Sequence, residues 1–169
     1  MQNDNSMQLE ISSYQITDQP RIRSILEHIG WEQSYILAFE QAAASFAKGS
    51  DTAVYMARQG MDTIGFIFIE VHAWNRLAQI QGLAVDPAFQ RRGAASALVM
   101  HAEIFAQAHH ARGIYVDTPV NNTRGRGFYE AIGYQTGYIM PRYYGDTLDG
   151  VTYQKFFDDP VGPEQNRVP

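Results

Sequence analysis

Residues 8–16 (QLEISSYQI) alternate apolar and polar side chains with the period of two that predicts a β-strand. Asp18 can cap a following helix, with Pro20 near its first turn. Ile22, Ile25, Leu26 and Ile29 give that helix an apolar stripe, and Gly30 stops it. A second helix is predicted from Trp31 to Ala47, with Tyr35, Phe39, Ala42 and Phe46 on one side and Gly49 closing it. The period then shortens. Thr52–Arg58 and Thr63–His72 read as strands joined by the turn Gln59-Gly60-Met61-Asp62, and Arg76–Val85 as a third strand stopped by Asp86-Pro87. From Gly93 to Arg112 an Ala-rich stretch places Leu98, Ala102 and Phe105 at helical spacing, and Gly113 ends it. Ile114–Thr118 is a short strand, Thr123–Ile132 a helix, and Tyr134–Met140 and Val151–Phe157 the last two strands. A strand–helix–strand unit over roughly 76–118 within an otherwise antiparallel run predicts an α/β chain of the α+β kind. Its mixed sheet carries helices packed on its faces.

The 169 residues fit one domain, predicted over 1–157, and the tail 158–169, with three prolines and little apolar content, reads as loosely ordered. With 45% apolar and 18% charged residues, the chain can bury a core. Its formal net charge is −5, from 13 Lys+Arg against 18 Asp+Glu, which argues against general binding to nucleic acid or to anionic membrane. The absence of cysteine removes a disulfide framework, a thiolate nucleophile and Cys-based metal sites. Met1 to Asp18 does not read as a secretory signal, and no apolar stretch approaches the roughly 20 residues that span a bilayer. A soluble, cytoplasmic protein is expected. No metal is expected either: His109 and His110 are adjacent and face different directions on a helix, so interaction with its carbonyl end suits them better.

The most informative stretch is Leu83-Ala84-Val85-Asp86-Pro87-Ala88-Phe89-Gln90-Arg91-Arg92-Gly93-Ala94-Ala95. A strand ends there, a turn follows, and small residues with two arginines open a helix. Free N–H groups and the positive dipole end make such a helix start a binding place for pyrophosphate, and Gly93, Ala94 and Ala95 let the backbone come close. An ordinary strand–helix connection with a solvated arginine pair is the alternative. The stretch lacks the lysine of a nucleotide P-loop and has one glycine where a dinucleotide fingerprint needs three.

Gln90-Arg91-Arg92-Gly93-Ala94-Ala95 resembles the Gln/Arg-x-x-Gly-x-Gly/Ala signature of the GNAT superfamily of acyl-CoA-dependent N-acetyltransferases. Asn122-Thr123-Arg124-Gly125-Arg126-Gly127-Phe128-Tyr129-Glu130-Ala131-Ile132-Gly133-Tyr134 resembles that superfamily's asparagine motif, in order and at its spacing. The resemblance covers roughly residues 8–157. Its nearest pattern is that of the ribosomal-protein N-terminal acetyltransferases, which also carry a tyrosine pair after the sixth strand, as Tyr143-Tyr144 here. It implies the GNAT acyl-CoA N-acyltransferase fold, with a twisted, mostly antiparallel central sheet and helices on both faces.

The resemblance also implies chemistry. Acetyl-CoA would be the co-substrate, with Leu83 and Val85 pairing with the pantetheine arm and N–H groups of Arg91, Arg92, Gly93, Ala94, Ala95 and Ser96 holding the pyrophosphate. A backbone N–H near Leu83–Ala84 would polarise the thioester carbonyl, and Asn122 would bond to the cofactor or cap its helix. Tyr129 would protonate the leaving thiolate, or else simply pack under its helix. Relatives often place a glutamate base on the fourth strand, but this chain has Gln79 and Gln81, which cannot serve. The fifth-strand acid of the ribosomal-protein acetyltransferases corresponds to Asp117; a water chain or His72 are the competitors, and a strand-ending Asp is the structural alternative. Trp31, Tyr35, His72, Tyr143 and Tyr144 would line the site of an amine or peptide acceptor. A homodimer follows from the resemblance alone. The rivals are a non-catalytic acyl-CoA-binding module and transfer of a longer acyl group. Arg124-Gly125-Arg126-Gly127 looks like a nucleic-acid segment, but on an acidic chain it reads as part of the asparagine motif.

Overall fold

The computed structural model describes residues 8–158. Its elements follow the predicted order: β1 (Leu9–Ser13), α1 (Gln19–Ile29), α2 (Gln33–Lys48), β2 (Thr52–Gln59), β3 (Asp62–His72), β4 (Leu77–Val85), α3 (Ala94–Ala108), β5 (Gly113–Pro119), α4 (Thr123–Ala131), β6 (Gln135–Met140) and β7 (Gly150–Phe156). The predicted tail beyond residue 158 lies outside the described residues. Among the described residues no helix is long and apolar enough to cross a membrane.

The first strand is shorter than its alternation predicts, because Ile16–Asp18 winds into a 3-10 turn. Asp18 makes no side-chain cap on α1, contrary to expectation. Its buried carboxylate accepts from the Gln15 N–H at 2.8 Å and from the Arg58 guanidinium at 2.8 and 2.9 Å. Arg58 also donates to the hydroxyls of Ser12 and Thr63, so this pair ties β1, the 3-10 turn, β2 and β3 together. The second helix starts two residues later than expected. Gly30 is left-handed (φ 88°), and both it and Trp31 bond back to the Leu26 carbonyl, which closes α1 and leaves Trp31 and Glu32 outside α2.

The seven strands form one sheet in the order β1-β2-β3-β4-β5-β7-β6. The β1–β4 meander is antiparallel, β4 and β5 are parallel across α3, and β7 lies antiparallel between β5 and β6. Each face carries its own core. On the side of α3 and α4, Leu98 of α3 packs with Ile67, Ile69, Ala78, Ile80, Ile114, Val116 and Tyr153 of the sheet. On the other side, Ile22, Ile25 and Leu26 of α1 and Ile36 of α2 pack with Met56, Phe66 and Phe68 of the sheet, which puts the predicted stripe of α1 on the sheet. Burying an Ile, Leu or Phe side chain contributes roughly 1.5–3 kcal/mol, so the two layers fix the sheet from both sides. His109 ends α3 with its ring on the Phe105 carbonyl at 2.8 Å, the predicted interaction at a helix end.

Candidate active site

Two irregularities of β4 open the centre of the sheet. Its parallel pairing with β5 runs only from Leu77↔Gly113 to Ile80↔Val116. Beyond that point β4 stays paired with β3 as far as Val85↔Gly65, and β5 stays paired with β7 as far as Pro119↔Gly150. The two parallel strands therefore diverge. Among the described residues no strand pairs with the β5-facing edge of Gln81–Val85, which leaves backbone donors and acceptors for an extended ligand. The second irregularity is a bulge: Ile69 pairs with Ile80 but Phe68 with Gly82, so Gln81 is the extra residue. A one-residue insertion reverses the facing of everything after it. Ala78 and Ile80 belong to the α3 core, whereas Ala84 belongs to the α1/α2 core. Gly82 accommodates this turn-over, because a Cβ there would come within 2.6 Å of Phe39 Cζ.

The loop after β4 is held from below. The buried carboxylate of Asp86 accepts from the Ala88 N–H at 3.0 Å and lies 2.9 Å from His28 Nδ1. Burial works to raise its pKa, but His28, the Ala88 N–H and Arg21 outweigh this and hold it below the ordinary carboxylate value. The Gln90 amide donates to the Val85 carbonyl at 2.9 Å. Arg91 (φ 65°) and Gly93 (φ 86°) both adopt left-handed backbone, a shape that turns successive N–H groups to one side. The first α-helical bond of α3 runs from the Ala97 N–H to the Gly93 carbonyl, so the N–H groups of Ala94, Ala95 and Ser96 have no partner within the helix. Arg91 and Gly93 are exposed there; Arg92, also exposed, lies over the Phe89 ring at 5.6 Å.

On the α1/α2 face, a polar cluster crosses β3, β4 and β5 beside the point of divergence. Gln79 pairs across the ladders with Glu70 and Tyr115. The Gln79 oxygen faces the Tyr115 hydroxyl at 2.9 Å, Gln81 Nε2 at 3.1 Å and His72 Nε2 at 3.2 Å. The Gln79 nitrogen donates to Asp117 Oδ2 at 3.1 Å, and Gln81 Nε2 donates to Glu70 Oε2 at 2.9 Å. Tyr143, from the loop after β6, donates to Asp117. Burial raises the Asp117 pKa above the usual carboxylate value despite those two donors. The Tyr115 phenol is pushed up to about 12, first by burial and then by the Asp117 charge. Tyr144 is raised first by burial, then by the charge of Asp117 and by Tyr143, with smaller effects from Tyr129 and Tyr35. Among the described residues no group of three or more His, Asp and Glu side chains could hold a metal ion.

The remaining predicted residues distribute as follows. Asn122 caps α4, its oxygen accepting from the Gly125 N–H at 3.0 Å while its nitrogen donates to Thr118 at 2.9 Å. Gly125 makes room for that cap, since a Cβ there would lie 3.0 Å from Asn122 Cγ. Tyr129 is buried at 6% exposure and stacks on Tyr153 at 6.0 Å, and burial keeps its phenol protonated far above neutral pH. Trp31 packs edge-on against Phe39 at 5.4 Å and Tyr35 at 6.3 Å on the rim of the α1/α2 core. His72 stands in the polar cluster beside Tyr115. Tyr143 and Tyr144 meet edge to face at 4.9 Å. Sequence reasoning passed over Glu70 and Tyr115. The signal for both is an i,i+2 polar pair within an apolar strand: Glu70 with His72, Tyr115 with Asp117, and between them Gln79 with Gln81.

Comparison with known proteins agrees with this geometry. The ribosomal-protein-S18-alanine N-acetyltransferase of Escherichia coli superimposes with a TM-score of 0.74 at 21% identity, covering 95% of this chain and 100% of that one. A GNAT-family protein from Desulfovibrio desulfuricans superimposes with a TM-score of 0.80 at 16% identity, over 88% of this chain and 99% of that one. The PaiA N-acetyltransferase of Thermoplasma acidophilum, solved with coenzyme A, gives 0.72 at 17% identity, over 89% and 100%. These likenesses establish the fold. No curated protein sequence gives a significant match. The sequence model of the acetyltransferase (GNAT) family matches residues 15–134, which span the divergent strands, the left-handed loop and the asparagine motif, and the chain belongs to that family.

Proposed function

We propose that residues 1–157 form an N-acetyltransferase domain that moves an acetyl group from acetyl-CoA to a primary amine within a ternary complex. The observation that carries this reading is the position of the β4/β5 divergence, which lies between a loop rich in free N–H groups and a desolvated carboxylate. The loop fits a pyrophosphate: Arg91 and Gly93 are left-handed, a Cβ at Gly93 would meet nothing within 4 Å, and three N–H groups follow at the start of a helix. Neighbours solved with coenzyme A, such as the Thermoplasma protein, support the same ligand.

In this reading Leu83 and Val85 offer the free edge of β4 to the pantetheine arm, and Arg91 to Ser96 hold the pyrophosphate. Acetyl-CoA supplies an acetyl group activated as a thioester. A backbone N–H at Leu83–Ala84 polarises its carbonyl. Asp117 removes the proton that an incoming ammonium must lose, and its raised pKa brings it closer to that task than an ordinary carboxylate. His72 turns its Nε2 to the Gln79 oxygen and its Nδ1 to Glu70, 3.9 Å away, so it is engaged within the cluster on both sides of its ring. Tyr129 holds a proton for the departing thiolate, and its burial keeps the phenol in the protonated form. Tyr35, Tyr143 and Tyr144 border the acceptor side, with Trp31 on its rim.

The test is release of free thiol from acetyl-CoA in the presence of a panel of small amines and peptides with free amino termini. Acetylated product with at least one acceptor, together with at least a ~10²-fold loss of kcat in Asp117→Asn, is the expected result. Binding of acetyl-CoA without transfer to any acceptor would replace this reading with a non-catalytic binding module. Faster turnover of a longer acyl-CoA would change the donor and leave the rest intact.

A further inference from the structure

The base assigned above stands on β5, and what orients it stands on β4. Gln79 Nε2 is 3.1 Å from Asp117 Oδ2, and the chemistry of its neighbours fixes which end of the amide faces the carboxylate. Glu70 Oε2 is an acceptor, so the group facing it at 2.9 Å is the Gln81 NH₂. That same NH₂ lies 3.1 Å from the Gln79 oxygen, which must then accept. The Tyr115 hydroxyl donates to this oxygen at 2.9 Å, and His72 at 3.2 Å must carry its proton on Nε2. With its oxygen engaged by three donors, Gln79 can turn only its NH₂ toward Asp117. Glu70, Gln81, Gln79 and Asp117 are therefore joined in a chain in which the Gln81 NH₂ donates to both Glu70 and Gln79, Gln79 donates on to Asp117, and a carboxylate accepts at each end.

We infer that Gln79 is the positioning residue for Asp117, locked in a single amide orientation by Gln81, Tyr115 and His72, with Glu70 anchoring the far end. This rests on the assignment of Asp117 as base. The chain commits Oδ2 to Gln79 and stabilises the ionised form, and Tyr143 supplies the second donor. Gln79 thus occupies a fourth-strand position next to the base without being a base. The other ionisable groups of the cluster are Tyr144, from the same loop as Tyr143, Tyr115 on the strand of Asp117, and Glu70 and His72 on β3, beyond Gln79 and Gln81. Tyr35 on α2 and Tyr138 on β6 reach the surrounding tyrosines. Besides these phenols, Glu70 and His72 are the ionisable side chains of the cluster.

The experiment is a carbon-13 NMR titration of the Asp117 carboxyl in wild type, Gln79→Met and Gln79→Glu. It needs no knowledge of the acceptor. Gln79→Met keeps the length of the side chain and removes the donor, so the Asp117 midpoint should rise by about half to one pH unit. Gln79→Glu puts a second carboxylate in the same place, and the pair should titrate in two steps whose upper midpoint lies at least one unit above wild type. Once an acceptor is known, the acidic limb of kcat/KM should move by the same amounts, with unchanged affinity for acetyl-CoA. Wild-type midpoints in both variants, each with normal melting behaviour, would overturn the inference. Should Gln79→Met not fold, the isosteric Gln79→Glu decides alone. Full activity in Asp117→Asn would instead overturn the base assignment, which separates the two failures.

Discussion

The turn-over of β4 at its bulge depends on Gly82, and replacing that glycine by alanine is a sharp test of how the cleft is built. A Cβ at Gly82 would lie 2.6 Å from Cζ and 3.3 Å from Cδ1 of Phe39. The ring is bounded on several sides by other aromatic side chains. It packs against Trp31 at 5.4 Å, Phe68 at 5.2 Å and Phe66 at 6.3 Å. Overpacking of this kind costs about 1–3 kcal/mol. At roughly 2–4 °C per kcal/mol for a chain of this size, Gly82→Ala should melt several degrees lower. Because the displaced strand is the one that offers its edge to the pantetheine arm, affinity for acetyl-CoA should fall as well. The assay is a double-mutant cycle with Phe39→Ala, read by thermal and denaturant unfolding. With the ring removed, the added methyl has space, and alanine restricts the unfolded chain by up to about 1 kcal/mol more than glycine. Gly82→Ala should then be neutral or slightly stabilising in the Phe39→Ala background. An equal penalty in both backgrounds would refute the idea that the ring sets the requirement for glycine.

Tyr129→Phe should lower kcat by roughly 10²-fold or more with little change in acetyl-CoA affinity, measured by steady-state kinetics and calorimetry; an unchanged rate would remove the proton-donor role. Asp117→Asn should raise the melting temperature at pH 7 while abolishing most activity. The folded pKa of Asp117 lies above its unfolded value, so its ionised form opposes folding above that pKa, and this penalty fades as pH falls through it. Asp86 has the opposite sign. Its folded pKa is depressed, so its contribution is present above the unfolded value and lost as pH falls through the folded one. Acid unfolding of Asp86→Asn should accordingly be less steep below about pH 4 than that of wild type.

Much of the fold could be read from periodicity. The alternating strands, the stripe of α1 and the glycines closing α1 and α2 emerged because each follows from local side-chain spacing, whereas α3 ends at His109 rather than running on to Gly113, which opens β5 instead. The bulge could not be read. An extra residue at Gln81 is defined by pairing with Phe68 and Ile69 on another strand, and alternation within β4 alone does not reveal it. The fate of Asp18 was hidden for the same reason: Arg58, 40 residues away, competes for the carboxylate and wins. The placement of β7 between β5 and β6 is likewise a property of pairing between distant segments. At the site, motif residues were legible because helix starts and caps are local, as Gly93 and Asn122 illustrate. Gln79 and Gln81 were legible only as residues that cannot act as bases. Their use as a hydrogen-bonding chain appears once β3, β4 and β5 stand side by side, with Glu70 and Tyr115 at matching heights.

The claim on which everything else rests is that the divergence of β4 from β5 and the left-handed loop from Gln90 to Ala95 form a site for acetyl-CoA. Calorimetric titration of the purified chain, shown by mass spectrometry to be free of ligand, with acetyl-CoA and then with CoA tests it most directly. Micromolar binding of both, at one site per chain and weakened by Arg91→Ala, is the expected result. No detectable binding of either by the ligand-free protein would contradict the account.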